Sequence, residues 1–434
     1  MSSQLLWRRS ATAAGLYSAV ALGIVGTVVA SRVFGLELFG VYATALAVAS
    51  FLQTLLDLTV EESLTKYGFR YIAAEDWGRL HQLLARALQI KLLGGVVASV
   101  ALLAFAPFAD ELFGSNGLTA AVLAAAALPL VQAPESVAAT VLLLRGRYDV
   151  RGGYMTFSMA LRLAAIAIGT QWGVWQTIAL IVVAQVIATA AIGALGLSAF
   201  RRFPAAKRVP LGEDLRGIIS FVGQSSVATG MLSLRTTLSP LLLGIVSNPA
   251  QVGLLRIAQA PQSGLAAASS PVRLVLLTEQ TRDWEAGQER DVVAGVRRYM
   301  AVAAGLMIVA VPLFLVTMPW LVRVVFGSQY ESSVTAARII LVAAALQLVL
   351  GWTKSLPVTI GRPHLRIVAH GVETLVLLPL VVVLGLKWGV SGAALAMLIS
   401  TLVFAAVWVV VLVRLAREVD ERHAAKTATG SHST

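Results

Sequence analysis

The 434-residue chain contains no cysteine, and only 13% of its residues are charged. The missing cysteine excludes a disulfide framework and a thiolate metal site. Soluble domains have roughly 25% charged residues. The low charge, together with 58% hydrophobic residues and a mean hydropathy of +0.81, therefore identifies an integral membrane protein.

Motifs of enzyme chemistry are also missing. The sequence has no phosphate-binding glycine loop with a lysine, no nucleophile elbow, and five scattered histidines without ligand spacing. We therefore expect no enzyme activity, no catalytic residue, no metal and no cofactor, and transport without ATP hydrolysis by this chain. The net charge of +12 is typical of cytoplasmic loops, so no nucleic-acid partner is expected.

Long apolar runs predict about twelve transmembrane helices, since a bilayer crossing needs ~20 apolar residues. The predicted spans of the first half lie near 12–33, 39–60, 84–106, 118–143, 153–171, and from the turn at Trp172 to Arg201. Those of the second half lie near 217–244, 252–276, 299–318, 333–356, 367–386, and from Val390 to Arg414. The predicted fold class is an all-α integral membrane protein.

Landmarks of the first half return in the second half at a nearly constant offset. Gly40 and Phe113-Gly114 recur as Gly253 and Phe326-Gly327 at 213 residues, and Trp172-Gly173-Val174 recurs as Trp388-Gly389-Val390 at 216. This order indicates duplication of a six-span unit, with the two copies parallel and related by an axis along the membrane normal. We expect an N-terminal lobe at 1–200, a basic cytoplasmic linker at 201–216, a C-terminal lobe at 217–414 and a disordered cytoplasmic tail at 415–434.

Lysine and arginine are concentrated in alternate loops. One set of loops carries residues such as Arg8, Arg145 and Arg362, whereas the opposite set has little beyond Arg323 and Lys387. Because positive loops stay in the cytoplasm, both termini are predicted to be cytoplasmic.

Two spans carry polar residues at three- or four-residue steps, which places them on one helical face. The two stripes are Gln53, Asp57 and Glu61 on the second span, and Arg256, Gln259 and Ser263 on the eighth. Ionised side chains are costly in hydrocarbon. We therefore expect both faces to line a cavity between the lobes.

Four arginines are candidates for an anion site in that cavity. Arg162 lies near the middle of the fifth span in line with Tyr154 and Ser158, and Arg235 lies on the seventh in line with Gln224. Arg32 and Arg256 lie near the outer ends of their spans, where the alternative is snorkelling to the headgroups. For Arg162 and Arg235 the alternative is a buried pair, for instance with Glu135.

Three acidic residues nearer the cytoplasmic side, Asp57, Glu135 and Glu373, are candidates for ion coupling. Asp57 has a simpler alternative, an ion pair with Lys66 or Arg70 at the inner surface. Glu135 and Glu373 have another, salt bridges between the lobes.

Three stretches resemble polysaccharide-unit flippases of the O-antigen type. They are Arg32 to Tyr42 followed by Gln53 and Asp57, the stretch Val325-Phe326-Gly327-Ser328-Gln329-Tyr330, and Gln251 to Gln259. These flippases form a branch of the multidrug/oligosaccharidyl-lipid/polysaccharide exporter superfamily. The resemblance extends over the whole chain in length, span count and landmark order.

The resemblance implies two six-helix lobes around a V-shaped central cavity that opens alternately to each side. It implies transfer of a polyprenyl-diphosphate-linked glycan, usually on undecaprenyl diphosphate, across the bacterial cytoplasmic membrane. Arginine forks suit the diphosphate, and Gln, Ser and Tyr suit the glycan. Membrane lipids and other envelope-polysaccharide assembly proteins are further expected partners, and a monomer is expected.

Two other functions are compatible with the same spans. A multidrug and toxin extrusion antiporter would favour acidic and aromatic cavity residues, whereas the deep charges here lean basic. A scaffold or polymerase of the envelope pathway would not need duplicated lobes, and such polymerases usually have a large outer loop that this sequence lacks.

Overall fold

The computed structural model describes residues 3–266, 280, 283–284, 287–360, 362 and 364–430. Side chains are described throughout these ranges except at 3–12, 228, 231–235, 358 and 422–430. All regular secondary structure in these ranges is helical. The predicted all-α class is therefore confirmed.

The first part of the chain forms twelve helices, several of them short pieces of one membrane crossing. They are α1 (Ser3–Leu56), α2 (Glu61–Ala73), α3 (Trp77–Phe105), α4 (Ala109–Phe113), α5 (Leu118–Ala125), α6 (Leu128–Gln132), α7 (Glu135–Leu144), α8 (Tyr148–Gly169), α9 (Val174–Phe200), α10 (Asp214–Ser233), α11 (Ser239–Val246) and α12 (Pro249–Ala258). A π-helical turn, Leu234–Leu238, joins α10 to α11.

Fewer and longer helices follow among the described residues. They are α13 (Glu289–Val325), α14 (Val334–Val349), α15 (Leu356–Thr359) and α16 (His364–Gly430). Short 3-10 segments precede α14 and α15.

Eight helical segments in the described ranges are long and apolar enough to cross a membrane. The first, Ala13–Leu56, and the last, His364–Glu421, are each long enough for two crossings. They bend at Gly35 (φ 71°) and Gly389 (φ 53°), where a left-handed backbone favours glycine. These bends lie where the sequence predicts turns between the first two and the last two spans. The second half of the predicted span at 252–276 lies outside the described residues.

Three predicted boundaries are wrong. The second span ends at Leu56, and residues 57–60 form a turn before α2. The ninth span passes through Pro319 and ends at Val325. Arg338 donates from Nε to the carbonyl of Leu315 at 2.9 Å, the acceptor that the missing N–H of Pro319 leaves open. The tail, expected to be disordered from 415, continues α16 as far as Gly430.

The contacts divide the chain into an N-terminal unit, Met1–Leu254, and a C-terminal unit, Leu255–Thr434. The core of the N-terminal unit includes Leu64, Leu80 and Ile192. The core of the C-terminal unit is built around Trp352 and Trp408. The division into two six-helix lobes with a linker at 201–216 stays a prediction.

Two landmark glycines of the duplication, Gly40 and Gly253, meet inside the N-terminal unit. A Cβ on Gly40 would lie 2.4 Å from the carbonyl oxygen of Pro249, and one on Gly253 would lie 3.2 Å from the Gly40 Cα. The close crossing of α1 and α12 therefore requires glycine, as in small-residue contacts between membrane helices.

Candidate functional site

A cluster of three charged side chains lies beside the C-terminal end of α1. We call it the charge triad: Asp57, Glu61 and Lys91. Lys91 lies on α3 and is only 4% exposed. Its ammonium group contacts Asp57 Oδ2 at 2.5 Å and Glu61 Oε1 at 2.9 Å, and it donates to the carbonyl of Leu58 at 3.3 Å. The triad satisfies a buried amine with two carboxylates, one from the turn after α1 and one from the start of α2.

The triad corrects two sequence interpretations. Gln53, Asp57 and Glu61 do not share one helical face, because α1 ends at Leu56 and Glu61 begins α2. The alternative pairing of Asp57 with Lys66 or Arg70 is also wrong, since Lys91 takes that place.

Lys66 and Arg70 instead contact α10. The Lys66 ammonium lies 4.6 Å from the centre of the Phe221 ring, and Arg70 contacts Asp214 at 3.1 Å. Tyr71 donates to Asp214 at 2.9 Å. Burial, followed by this hydrogen bond, raises the pKa of Tyr71 to about 12. These contacts fix the first turn of α10 against α2.

A row of amides connects four helical segments of the N-terminal unit. Gln53 donates to Gln132 at 2.9 Å, Gln132 to Gln185 at 3.1 Å, and Gln185 to Glu135 at 2.9 Å. Gln185 also donates to Thr189 at 3.1 Å. The row, which we call the glutamine relay, ends on a carboxylate and gives each interior amide a partner.

Tyr154 and Ser158 on α8 lie at the carboxylate end of the relay. The Tyr154 hydroxyl is buried and interacts electrostatically with Glu135, without a hydrogen bond of good geometry. The structure therefore brings Gln53, Glu135 and Tyr154 into one polar region of the N-terminal unit, and their role in a cavity stays a prediction.

Arg162 lies two turns beyond Tyr154 on α8 and is half-buried. It makes no hydrogen bond or ion pair with any residue that the structure describes. The alternative of a pair with Glu135 is not formed, because Glu135 accepts from Gln185. Arg162 is thus a cation within an apolar helix whose charge is available to a ligand.

The other predicted arginines are less informative. Arg32 on α1 and Arg256 on α12 have exposed side chains. Arg235 belongs to the π-helical turn between α10 and α11, and its side chain lies outside the described residues. Gln224 on α10 is exposed and donates to Ser220 at 3.2 Å.

In the C-terminal unit, Gln262 donates to Gln347 at 3.4 Å and Gln347 donates to Thr401 at 3.3 Å, but Gln259 and Ser263 do not join this row. Gln259 lies 3.9 Å from the sulfur of Met397, and Ser263 is exposed.

Glu373 is fully buried and contacts His370 Nδ1 at 3.1 Å. The His370 ring stacks on Phe404 with centroids 5.0 Å apart.

Sequence reasoning missed Lys91, Gln132, Gln185 and His370. Lys91 was detectable, because it is a lysine inside the predicted span 84–106 and such charges mark functional sites. The two glutamines carry no charge and no shared period, so only the fold brings them together. Within the described ranges, no group of three His, Asp or Glu side chains is arranged to hold a metal ion.

Comparisons with known proteins agree with this architecture. A family model described as "Polysaccharide biosynthesis protein" matches residues 9–272. No curated protein sequence matches the chain.

Solved structures of low sequence identity share the fold. The lipid II flippase MurJ, in an inward closed conformation, has a TM-score of 0.72 at 12% identity over 95% of this chain and 90% of that chain. An inward-facing MATE family transporter of the MOP superfamily has a TM-score of 0.69 at 13% identity, over 95% of this chain and 99% of that one. The MATE transporter VcmN of Vibrio cholerae has a TM-score of 0.63 at 15% identity, over 96% and 97%. The predicted superfamily fold is confirmed.

Proposed function

Because this chain belongs to the polysaccharide biosynthesis protein family and has the MOP superfamily fold, we propose that it flips a lipid-linked oligosaccharide. The substrate is a polyprenyl-diphosphate-linked glycan, with undecaprenyl diphosphate as the carrier. It moves from the inner to the outer leaflet of the bacterial cytoplasmic membrane by alternating access. Both termini face the cytoplasm, and no step is enzymatic.

The proposal rests on the burial of Arg162 and on its lack of an ion pair with the described residues. An isolated charge within a membrane span costs several kcal/mol unless it is paired or hydrated. Arg162 is half-buried and makes no ion pair with the described residues. A lipid diphosphate supplies the missing anion, and the planar guanidinium binds it through two parallel hydrogen bonds. Arg235, Arg256 and Arg32 are proposed to extend this anion site toward the outer surface.

Polar side chains supply the glycan contacts in this proposal. The candidates are Gln53, Tyr154, Ser158, Gln224, Gln259 and Ser263. Tyr154 supports the assignment because its buried hydroxyl lacks a well-formed hydrogen bond. Ion coupling is assigned to the acidic candidates Asp57, Glu135 and Glu373.

A cation-coupled drug antiporter is the second candidate, because MATE transporters share the fold. The half-buried Glu135 and the buried Glu373 fit a cationic drug, whereas Arg162 opposes it. A flippase substrate would bring a negative charge to Arg162, whereas the substrate of a drug antiporter would bring a positive charge.

The test replaces Arg162 in a bacterial strain whose surface polysaccharide depends on this transporter. Arg162→Ala should abolish surface polysaccharide at normal protein level. Arg162→Lys should restore part of it, because lysine keeps the charge but not the planar fork. Arg162→Glu should be the most defective variant. The control is Arg86→Ala, an exposed arginine on α3 that bonds Gln89.

Normal polysaccharide in Arg162→Glu would contradict the proposal. Export of a cationic dye that improves in Arg162→Glu, without any effect on polysaccharide, would favour the antiporter.

A further inference from the structure

The charge triad has more negative than positive charge. Lys91 contributes one positive charge, whereas Asp57 and Glu61 contribute two negative charges when both are ionised. Lys91 and Asp57 are, respectively, 5% and 25% exposed in their side chains, and Glu61 is 34% exposed. An excess charge in such a site is costly unless a further group balances it.

Neighbouring charged groups do not balance the excess. In the part of the chain that the structure describes, Lys91 and Glu61 are the charged groups that act on Asp57, and Lys91 is the cation that acts on Glu61. Glu62, the next residue on α2, faces away and accepts from Ser225 at 2.7 Å. Glu135, on the adjoining α7, accepts from the glutamine relay.

One buried oxygen of the triad has no hydrogen-bond partner among the described residues. Lys91 binds Asp57 Oδ2 and Glu61 Oε1. Asp57 Oδ1 is inaccessible to solvent and has no hydrogen bond to any described residue. It faces Gly94 on α3, where a Cβ would lie 3.3 Å from Oδ1. A buried carboxylate oxygen without a hydrogen-bond donor destabilises the folded protein. A proton bound to that oxygen removes this cost.

The surroundings of Oδ1 fit a proton better than a metal ion. Hard cations require about six oxygen ligands. Among the described residues, no group of three His, Asp or Glu side chains is arranged to hold a metal ion. A protonated Asp57 can donate a hydrogen bond, and its neutral form leaves Lys91 and Glu61 as a balanced pair.

We propose that Asp57 takes up and releases one proton at Oδ1 during transport, with Lys91 as the fixed countercharge that keeps Glu61 ionised. Water on one side of the membrane supplies the proton and water on the other side accepts it. One O–H bond forms and later breaks, and no other group is changed. This coupling role rests on the proposed transport function.

Carbodiimide labelling tests the proton site without any glycan. The reagent modifies protonated carboxyl groups, and mass spectrometry of the reconstituted protein locates the modified residue. Labelling of Asp57 should fall as pH rises, by about tenfold per pH unit above its midpoint. Glu61→Gln removes the excess negative charge, so its Asp57 labelling should move to lower pH. Glu62→Gln, the matched control on the same helix, should leave the profile unchanged.

Three results would overturn the proton site. They are an Asp57 that stays unlabelled over the whole pH range, a Glu61→Gln profile identical to that of the parent, and protection of Asp57 by sodium at constant pH. The last result would identify a metal ion as the ligand.

Transport supplies the second arm of the test. In proteoliposomes, glycan transfer by the parent should respond to a pH difference, and transfer by Asp57→Asn should not. Asp57→Asn transfer that keeps the full response to the pH difference would refute the coupling role. If no lipid-linked glycan moves at all while the labelling pattern holds, the proposed substrate is wrong and the proton site stands.

Discussion

The two units of the chain hold their buried charged side chains in different ways, although each also has a row of hydrogen-bonded amides. The N-terminal unit holds a lysine between two carboxylates, and a separate relay of three glutamines that ends on Glu135. The C-terminal unit holds Glu373 against His370, whose ring stacks on Phe404. Trp352 and Trp408 pack edge to face nearby, with centroids 5.6 Å apart.

The predicted duplication is better preserved in the turns and in a row of polar side chains than in the buried charges. Gln347, which donates to Thr401, follows Gln132 by 215 residues, and Thr401 follows Gln185 by 216.

The paired landmark glycines Gly114 and Gly327, and likewise Gly173 and Gly389, all have positive φ. No such pairing relates the triad to the His370 pair. Backbone geometry restricts a turn to glycine, whereas charged residues of an interior can change once each copy has its own task.

Removal of the triad's cation should give the largest effect. Lys91→Met leaves two carboxylates without their countercharge, and breaking a buried ion pair in this way costs about 3–5 kcal/mol. The expected result is a large drop in the melting temperature of the detergent-solubilised protein.

Restoring neutrality should reverse that drop. The triple variant Lys91→Met, Asp57→Asn, Glu61→Gln should melt near the parent, and Lys66→Met, an exposed lysine on α2, should change little. A Lys91→Met protein as stable as its parent would mean that the triad is not a coupled charge cluster.

The pair in the C-terminal unit should matter less. His370→Ala removes one hydrogen bond to a buried carboxyl group and one ring stack, a loss of about 1.5–3 kcal/mol. The melting temperature should fall by less than in Lys91→Met, with His364→Ala, an exposed histidine on the same helix, as the control. A larger fall than in Lys91→Met would reverse the ranking of the two units.

Much of the fold follows from the sequence alone. Apolar length predicts the membrane helices, and the glycines at 35 and 389 predict the bends. The residues around Asp57 show why the rest does not follow. A four-residue period predicts one continuous helical face through Glu61. The structure instead has a turn at 57–60, where Asp57 contacts Lys91 of α3. No local sequence signal marks this turn.

The candidate site divides in the same way. The position of Arg162 inside a membrane helix was predictable, because a charge inside an apolar run is visible in the sequence. Its role in an anion site stays a prediction. Gln132 and Gln185 were not, since their pairing depends on how α6 and α9 pack.

The surface contact of α2 with α10 should give the smallest effect. Arg70 is 64% exposed in its side chain, and Asp214 retains Tyr71 as a partner. Exposed ion pairs contribute about 0–1 kcal/mol. Arg70→Ala should therefore leave the melting temperature within a few degrees of the parent. A fall comparable to that of His370→Ala would mean that this exposed contact stabilises the fold more than its exposure predicts.

Transfer of a defined lipid-linked oligosaccharide by the purified protein tests the central claim most directly. Proteoliposomes would carry the glycan lipid in one leaflet, and a membrane-impermeant lectin would report its arrival in the other. The account predicts transfer by the parent protein, little by Arg162→Ala and none by Arg162→Glu. Transfer that is equal in the parent, in Arg162→Glu and in liposomes without protein would contradict it.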